Sequence, residues 1–276
     1  MIDETPLARI LRSALLVFIA VAFLFPFYWT LATALKLKPE LLTWPPVWWP
    51  AHARWQNFAD AWNAQPFAIF TMNSTIVTLM SVAGQLLSSS LVAYGFARFS
   101  FRGREALFAV LLAAMMIPWD VTMIPRYMEF NWLGWINTLK PLIVPTWFGN
   151  PTFIFLLRQF IMTVPKEFDE AAKMDGANSF QIYWKIHLPL MLPALILVGT
   201  FQFLYAWNDY IGPLIYLNDQ SKYTLALGLA QFKGLHQVDL SSLAAMSIML
   251  CIPPIILFTC FQRYIMDNAL SSGVKG

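Results

Sequence analysis

The sequence predicts an all-α protein that crosses a lipid bilayer six times. Composition is the first observation behind this: 58% of the 276 residues are hydrophobic and only 12% are charged, against about 25% charged in an ordinary soluble domain. The second is that uncharged apolar runs recur along the chain, and a helical crossing needs about 20 mostly apolar residues. The third is where the charges fall, in the connections between those runs.

The first crossing runs from about Ser13 to Leu35 without a charge. Ala32-Thr33-Ala34 resembles a cleavage site, but a cleaved signal has an apolar core of only about 7–15 residues. The run is therefore read as a retained helix. The second crossing extends from about Phe70 to Ala97, and the third starts after Glu105 and reaches about Ile124, with Asp120 near one end. The fourth spans about Leu142 to Leu157 and stops at Arg158; the fifth spans about Leu190 to Leu214 and the sixth about Leu240 to Gln262. A charge at a helix centre costs about 2.5–3.5 kcal/mol, so charge-free windows of this length carry information. The expected organisation is an N-terminal crossing with its outer loop (1–69), a core of five crossings (70–266) and a C-terminal tail (267–276).

An even number of crossings leaves both termini on one side. Arg9, Arg12, Arg98, Arg102, Arg104, Lys166, Lys173, Lys185, Arg263 and Lys275 all fall on that side. Basic residues concentrate in cytoplasmic loops, so both termini are expected in the cytoplasm, with the chain in the cell inner membrane. The opposite side holds Lys36, Lys38, Arg54, Arg126, Lys140, Lys222 and Lys233 over longer loops.

Several functions find no support. A net charge of +3 is too small to argue for nucleic acid or an acidic partner. Cys251 and Cys260 share one apolar run, which suits buried thiols better than a disulfide framework. His52, His187 and His236 lack metal-ligand spacing. No phosphate-binding Gly-x4-Gly-Lys-Ser/Thr loop occurs, so the chain needs no cofactor of its own and is not read as an enzyme. An ion-coupled secondary transporter is the alternative reading, although such proteins carry ionisable groups at mid-membrane and here charges sit at span ends. A membrane-embedded enzyme would need a nucleophile–base pair, metal cluster or acidic dyad within the spans.

One outer loop, Trp44-Pro45-Pro46-Val47-Trp48-Trp49-Pro50, cannot form a regular helix. Its rings suit either an aromatic belt at the membrane–water interface or a docking surface for an outside partner.

The connection from Met162 to Pro193 is different, because it reads as helix. Pro165 suits a first turn, and Glu167, Asp169 and Glu170 complement the positive N-terminus. Ala171, Ala172, Lys173 and Met174 are good helix formers. Gly176 can take the left-handed conformation that ends a helix. Asn178 or Ser179 can cap a second short helix over Gln181–Ile186, and Leu188-Pro189 stops it before the fifth crossing. Phe168, Ala171, Ala172 and Met174 offer small or apolar contacts ringed by Glu167, Asp169, Glu170, Lys173 and Asp175. A helix lying on a membrane surface should be basic. This one is acidic, which suits a protein partner.

Glu170-Ala171-Ala172, three residues, Gly176, nine residues, Ile186, one residue, then Leu188-Pro189 resembles the EAA loop of binding-protein-dependent ABC importer permeases at every fixed position. Phe25-Pro26-Phe27-Tyr28-Trp29, Asn73-Ser74, Ala93-Tyr94-Gly95-Phe96-Ala97-Arg98, Trp207-Asn208 and the tail Gly273-Val274-Lys275-Gly276 are similar to the carbohydrate-uptake branch, in particular the second permease of maltose-type systems. The resemblance implies a type I importer permease fold with a cytoplasmic coupling helix that docks in a groove of an ATPase subunit. Glu170 would face a basic group there, Gly176 would permit the turn, and Ala171, Ala172, Asp175, Ile186, Leu188 and Pro189 would complete the docking elbow. Lys275 and Gly276 are weaker coupling candidates. The implied partners are a second permease forming a heterodimer, an ATPase homodimer or pair binding ATP and Mg, and a periplasmic or lipid-anchored solute-binding protein. The implied solutes are sugars, polyols or glycerol phosphate.

In the fifth crossing, Gln202, Tyr205, Trp207, Asn208, Asp209 and Tyr210 can line a solute pathway or glue helices together, since amides and small residues do both. The loop after it, Leu217 to Asp239, looks like the one reaching toward the binding protein, with Asn218, Asp219, Gln220 and Lys222 as its polar candidates.

Overall fold

A computed structural model of the chain describes residues 6–232 and 239–273. Lys275 and Gly276 lie outside the described residues. The chain divides into two compact units, one made of Met1–Phe67 with Gly228–Ile252 and the other of Ala68–Leu227 with Pro253–Gly276.

In the first unit, helix α1 (Pro6–Leu35) contains a 29-residue stretch, Leu7–Leu35, long and apolar enough to cross a membrane. Its most apolar window is entirely exposed. An uninterrupted apolar face of that kind belongs in lipid. Its C-terminal end is packed, with Ala32, Ala34 and Leu35 fully buried. Helix α2 (Gln56–Asn63) closes this end. The amide of Asn57 donates to Ala34 O at 2.8 Å and Lys36 O at 2.9 Å, satisfying two carbonyls that a helix terminus leaves open. The Trp44–Pro50 loop is non-helical, as expected. Trp48 packs edge-on to Trp29 and Trp49 stacks on Tyr28, while Trp44 is 90% exposed.

The second unit takes up most of helix α3 (Phe67–Arg98), which is followed by α4 (Arg104–Ala114) and α5 (Trp119–Trp132). The third crossing was expected as one segment. Instead α4 and α5 meet at 97° across the break between them. Pro118 lacks an N–H and stands with extended backbone (φ −62°, ψ 142°) as the N-cap of α5, so helical geometry ends at the break. The fourth expected crossing, Leu142–Leu157, is likewise not one helix. It comprises α6 (Lys140–Ile143), a 3-10 turn (Val144–Phe148) and the start of α7 (Pro151–Thr163). Pro141, Pro145 and Pro151 interrupt the bonding, and Gly149 turns the chain at φ +81°. The 13 residues of α7 reach only about 20 Å, short of a hydrocarbon core of about 30 Å.

An elbow of short helices follows: α8 (Glu167–Met174), α9 (Ser179–Ile182), a wide turn over Tyr183–His187 and α10 (Leu188–Leu190). Leu188-Pro189 does not stop the helix as expected. Helical backbone continues through Leu190, and a 76° bend separates Ser179–Leu190 from α11 (Leu192–Trp207). The wide i→i+5 turn absorbs the proline, whose missing N–H would otherwise leave Lys185 O without its usual partner. The fifth crossing breaks again after Trp207, and α12 (Ile211–Tyr216) and α13 (Leu225–Leu229) precede the long α14 (Leu240–Gly273).

Among the described residues, three helices are long and apolar enough to cross a membrane by themselves, and the two bent pairs raise this to five. The broken fourth segment is the expected crossing that falls short.

The core of the second unit sits where α3, α7 and α11 meet the elbow. Ala93, Leu157, Ile161, Met191 and Val198 are fully buried, with Tyr94 and Tyr183 among them. Gly84 lets the 3-10 turn lie directly on α3. A Cβ there would stand 2.6 Å from Cγ of Trp147, and only glycine avoids that contact.

A candidate coupling elbow and solute cavity

Helix α8 ends in a complete Schellman motif. Gly176 N–H donates to Lys173 O at 3.0 Å and Ala177 N–H to Ala172 O at 2.9 Å, while Gly176 holds φ +82°. Asn178 then starts α9 with a reciprocal capping box. Its Oδ1 accepts from Gln181 N at 2.9 Å, and Gln181 Oε1 accepts from Asn178 N at 2.8 Å. Both ends of the turn are thus fixed by local bonds.

Glu170, Ala171, Asp175, Gly176 and Pro189 are exposed on this elbow, and Ala172, Ile186 and Leu188 are partly buried. Phe168 is 52% and Met174 88% exposed. Apolar side chains of that size beside an exposed carboxylate form a surface suited to protein contact.

Asp169 departs from expectation. It is not part of the charged surface but the buried residue of α8. Its Oδ2 lies 3.0 Å from Nε of Arg98, at the end of α3, and its Oδ1 lies 2.6 Å from Nε2 of His187. Nη2 of Arg98 also donates to Val164 O at 2.7 Å, just past α7. His187 is fully buried, and its Nδ1 has no hydrogen-bond partner among the described residues. The carboxylate oxygen 2.6 Å away is an acceptor, which places a ring proton on Nε2, donated to Asp169.

A second feature is a cavity of about 590 Å³ in the same unit, lined among others by Gln85, Trp119, Arg126, Asn150, Tyr205 and Asp209. Gln202 lines it too, whereas Trp207, Asn208 and Tyr210 do not. Trp207 is buried and stacked on Phe203. Asn208 caps its own helix through Leu204 O at 2.8 Å. Tyr210 is 37% exposed. Asp209 accepts from Gly212 N–H at 3.0 Å and so holds the start of α12. Arg126, expected in an outer loop, lies in α5 and lines this cavity. Its place one residue after Pro125, in a stretch that includes Asp120, was the available signal.

The loop expected to reach an outside partner is pre-shaped. Asn137 Oδ1 accepts from Asn218 N–H and Asp219 N–H at 3.1 and 2.9 Å. Asp219 in turn accepts from Ser221 N–H at 2.9 Å, and this bond holds its carboxyl below the usual range. The amide of Asn73, 5% exposed, donates to Ser221 O and Tyr223 O at 3.0 Å each, and Ser74 Oγ accepts from Leu225 N–H at 2.7 Å. Asn218, Asp219, Gln220 and Lys222 are all exposed on this frame.

Comparison with known proteins agrees with this architecture. Residues 85–269 match the family described as binding-protein-dependent transport system inner membrane component. The chain is 31% identical to the diacetylchitobiose uptake system permease protein DasC of Streptomyces coelicolor, over 97% of this chain and 98% of that protein. It is 33% identical to the melibiose/raffinose/stachyose import permease protein MelC of Bacillus subtilis, over 94% of each. In fold it matches a chain in the crystal structure of a bacterial ABC transporter involved in the import of the acidic polysaccharide alginate. The TM-score is 0.85 at 22% identity, covering 96% of this chain and 99% of that one. Ion-coupled secondary transport finds no support in these relationships. The chain belongs to the binding-protein-dependent inner-membrane transport family and is the permease subunit of an ABC importer, with ATP hydrolysed by a separate subunit.

Proposed function

We propose that the chain moves a sugar delivered by an external binding protein, and that the α8–α9 elbow receives the movement of a cytoplasmic ATPase. One observation carries this reading: α8 exposes Phe168, Glu170 and Met174 and buries Asp169. Exposed apolar side chains on so short a helix are covered most simply by a partner's groove. Glu170 would meet a basic group there. Ala171, Ala172, Asp175, Gly176, Ile186, Leu188 and Pro189 would shape the contact, and Lys275 and Gly276 would add to it.

The relatives' names favour oligosaccharides as the solute class. Gln202 and Tyr205 would contact the solute within the cavity, because amides and aromatic faces suit hydroxyl-rich rings. Asn218, Asp219, Gln220 and Lys222 would meet the binding protein. A second, non-identical permease and two ATPase subunits holding ATP and Mg would complete the importer, with both termini of this chain cytoplasmic. Residues 70–266 would form the core permease and 267–276 a tail toward the ATPases. ATP favours the closed ATPase dimer, so its binding would shift the permease between inward- and outward-open states as packed, discrete arrangements.

The test is uptake by proteoliposomes holding the full importer and its binding protein, offered labelled raffinose, diacetylchitobiose and arabinooligosaccharides. ATP-dependent accumulation of at least one is expected. Uptake that runs on a proton or sodium gradient without ATP would overturn the reading.

A further inference from the structure

We propose that Asp169 is the positioning residue through which movement of the elbow enters the membrane spans, and that the cytoplasmic end of α3 is the lever it drives. This rests on the coupling role proposed for the elbow and names the route by which that role is carried out.

Three residues on one face of α3 reach three different parts of the elbow. Ser90 Oγ is 2.8 Å from the Tyr183 hydroxyl. The Tyr94 hydroxyl donates to Ser179 O at 3.1 Å. Arg98 pairs with Asp169 at 3.0 Å. The spacing of four residues puts all three on one stripe of the helix. They touch the wide turn, the start of α9 and the buried face of α8 in that order.

The Asp169 bond differs from the others in kind. The hydroxyl bonds are neutral, whereas the carboxylate is buried with a guanidinium on one oxygen and an imidazole N–H on the other. Charge-assisted bonds are shorter and about twice as strong as neutral ones. Arg98 is further tied to Val164 O, so the node joins α3, the end of α7, α8 and the approach to α11. The ring of Tyr94 packs on the ring of His187 at 5.1 Å, which closes the node from the side. Removing one partner of a buried pair leaves the other charge uncompensated in low dielectric. The four elements therefore move together or the node is lost.

The geometry also separates two neighbouring carboxylates. Glu170 faces outward, where a partner can reach it. Asp169 is buried against Arg98 and His187 of this chain. Docking would use the first and transmission the second.

The test uses the complete importer with both permeases, its ATPases and its binding protein. Cys251 and Cys260 are replaced by serine, and Phe201→Cys supplies a reporter in the cavity. Labelling of that cysteine by an impermeant maleimide is measured with and without MgATP plus orthovanadate, alongside ATP hydrolysis. A wild-type elbow should change the labelling rate on trapping. Asp169→Asn, which keeps the shape and loses the charge, should keep the ATPases bound and reduce the ATP-driven change by roughly 5–150-fold, the range typical of a coupling factor. His187→Phe should behave like Asp169→Asn, while His187→Gln, which restores an N–H donor, should recover most of the response. An Asp169→Asn complex with a wild-type response overturns the proposal. So does one that loses its ATPases, since Asp169 would then shape the docking surface instead. Equal responses from His187→Gln and His187→Phe overturn it too. If the wild-type elbow gives no labelling change at all, the coupling function itself fails.

Discussion

Gly176→Ala tests whether backbone conformation alone makes the elbow. Gly176 holds φ +82°, and a Cβ built on it meets nothing within 4 Å. Crowding therefore contributes nothing, and the whole effect comes from the left-handed torsion. That torsion costs an L-residue about 1–2 kcal/mol, with asparagine excepted. A penalty of this size reduces the ratio of formed to unformed turn by about 5- to 30-fold. The reporter is the amide of Ala177, which is bonded to Ala172 O only when the turn is made. Hydrogen exchange at Ala177, in the purified subunit in nanodiscs without its ATPases, should speed up by about 5- to 30-fold in Gly176→Ala. Gly176→Val should exchange faster still, because a β-branched residue tolerates the left-handed region least. Gly176→Asn should stay near wild type. The ordering glycine, asparagine, alanine, valine follows torsional cost rather than size. Asparagine and alanine exchanging at the same rate would refute the argument, since the two differ in left-handed tolerance and have equal room.

Three further outcomes follow from particular contacts. Glu170→Lys should leave the subunit in the membrane and abolish ATP-coupled uptake, because the exposed carboxylate would become a like charge to a basic groove; wild-type uptake in that variant would refute the role. Asn73→Ala removes the donor shared by Ser221 O and Tyr223 O. It should loosen the 217–223 loop by about 1–3 kcal/mol, visible as faster limited proteolysis there and weaker binding-protein capture, and unchanged cleavage would count against it. Gly84→Ala drives a methyl into the Trp147 ring. It should cost about 1–3 kcal/mol in thermal unfolding of the purified subunit, and Gly84→Ala with Trp147→Leu should recover most of the loss; no recovery in the double variant would assign the loss to something other than that contact.

How much of this was readable in the chain depends on distance along it. Gly176 as a left-handed terminus and Asn178 as a cap were legible because the bonds they make close within five residues. The crossings α1, α3 and α14 were legible because a charge-free apolar run of that length has one stable form in lipid. The third and fourth crossings look continuous in the sequence and are not. Hydropathy records that a segment is apolar, not that Pro118, Pro141, Pro145 and Pro151 divide it.

Asp169 shows the boundary most sharply. In sequence it is one of three acids at a helix start, and the dipole argument treats Glu167, Asp169 and Glu170 alike. Only packing against Arg98 and His187, which are 89 residues apart, separates the buried carboxylate from the exposed ones. His187 gave no metal-ligand spacing because its partner is a carboxylate on another element. Arg98 read as an ordinary cytoplasmic arginine because the positive-inside rule does not distinguish paired charges from free ones. The polar stripe Ser90, Tyr94, Arg98 was the one local trace of the node, and it has no meaning until something lies against it.

The amino-acid sequence by itself determined that this chain lives in a membrane, that its apolar runs become helices, and that an acidic helical turn joins two of them. Those outcomes depend on solvent transfer and on bonds between near neighbours, which composition and spacing fix. Tertiary structure decided which charges are buried, which helices bend, and which polar residues of the fifth crossing face a cavity. Those outcomes depend on contacts between residues far apart in the chain, whose free energy exists only once the elements that carry them have packed.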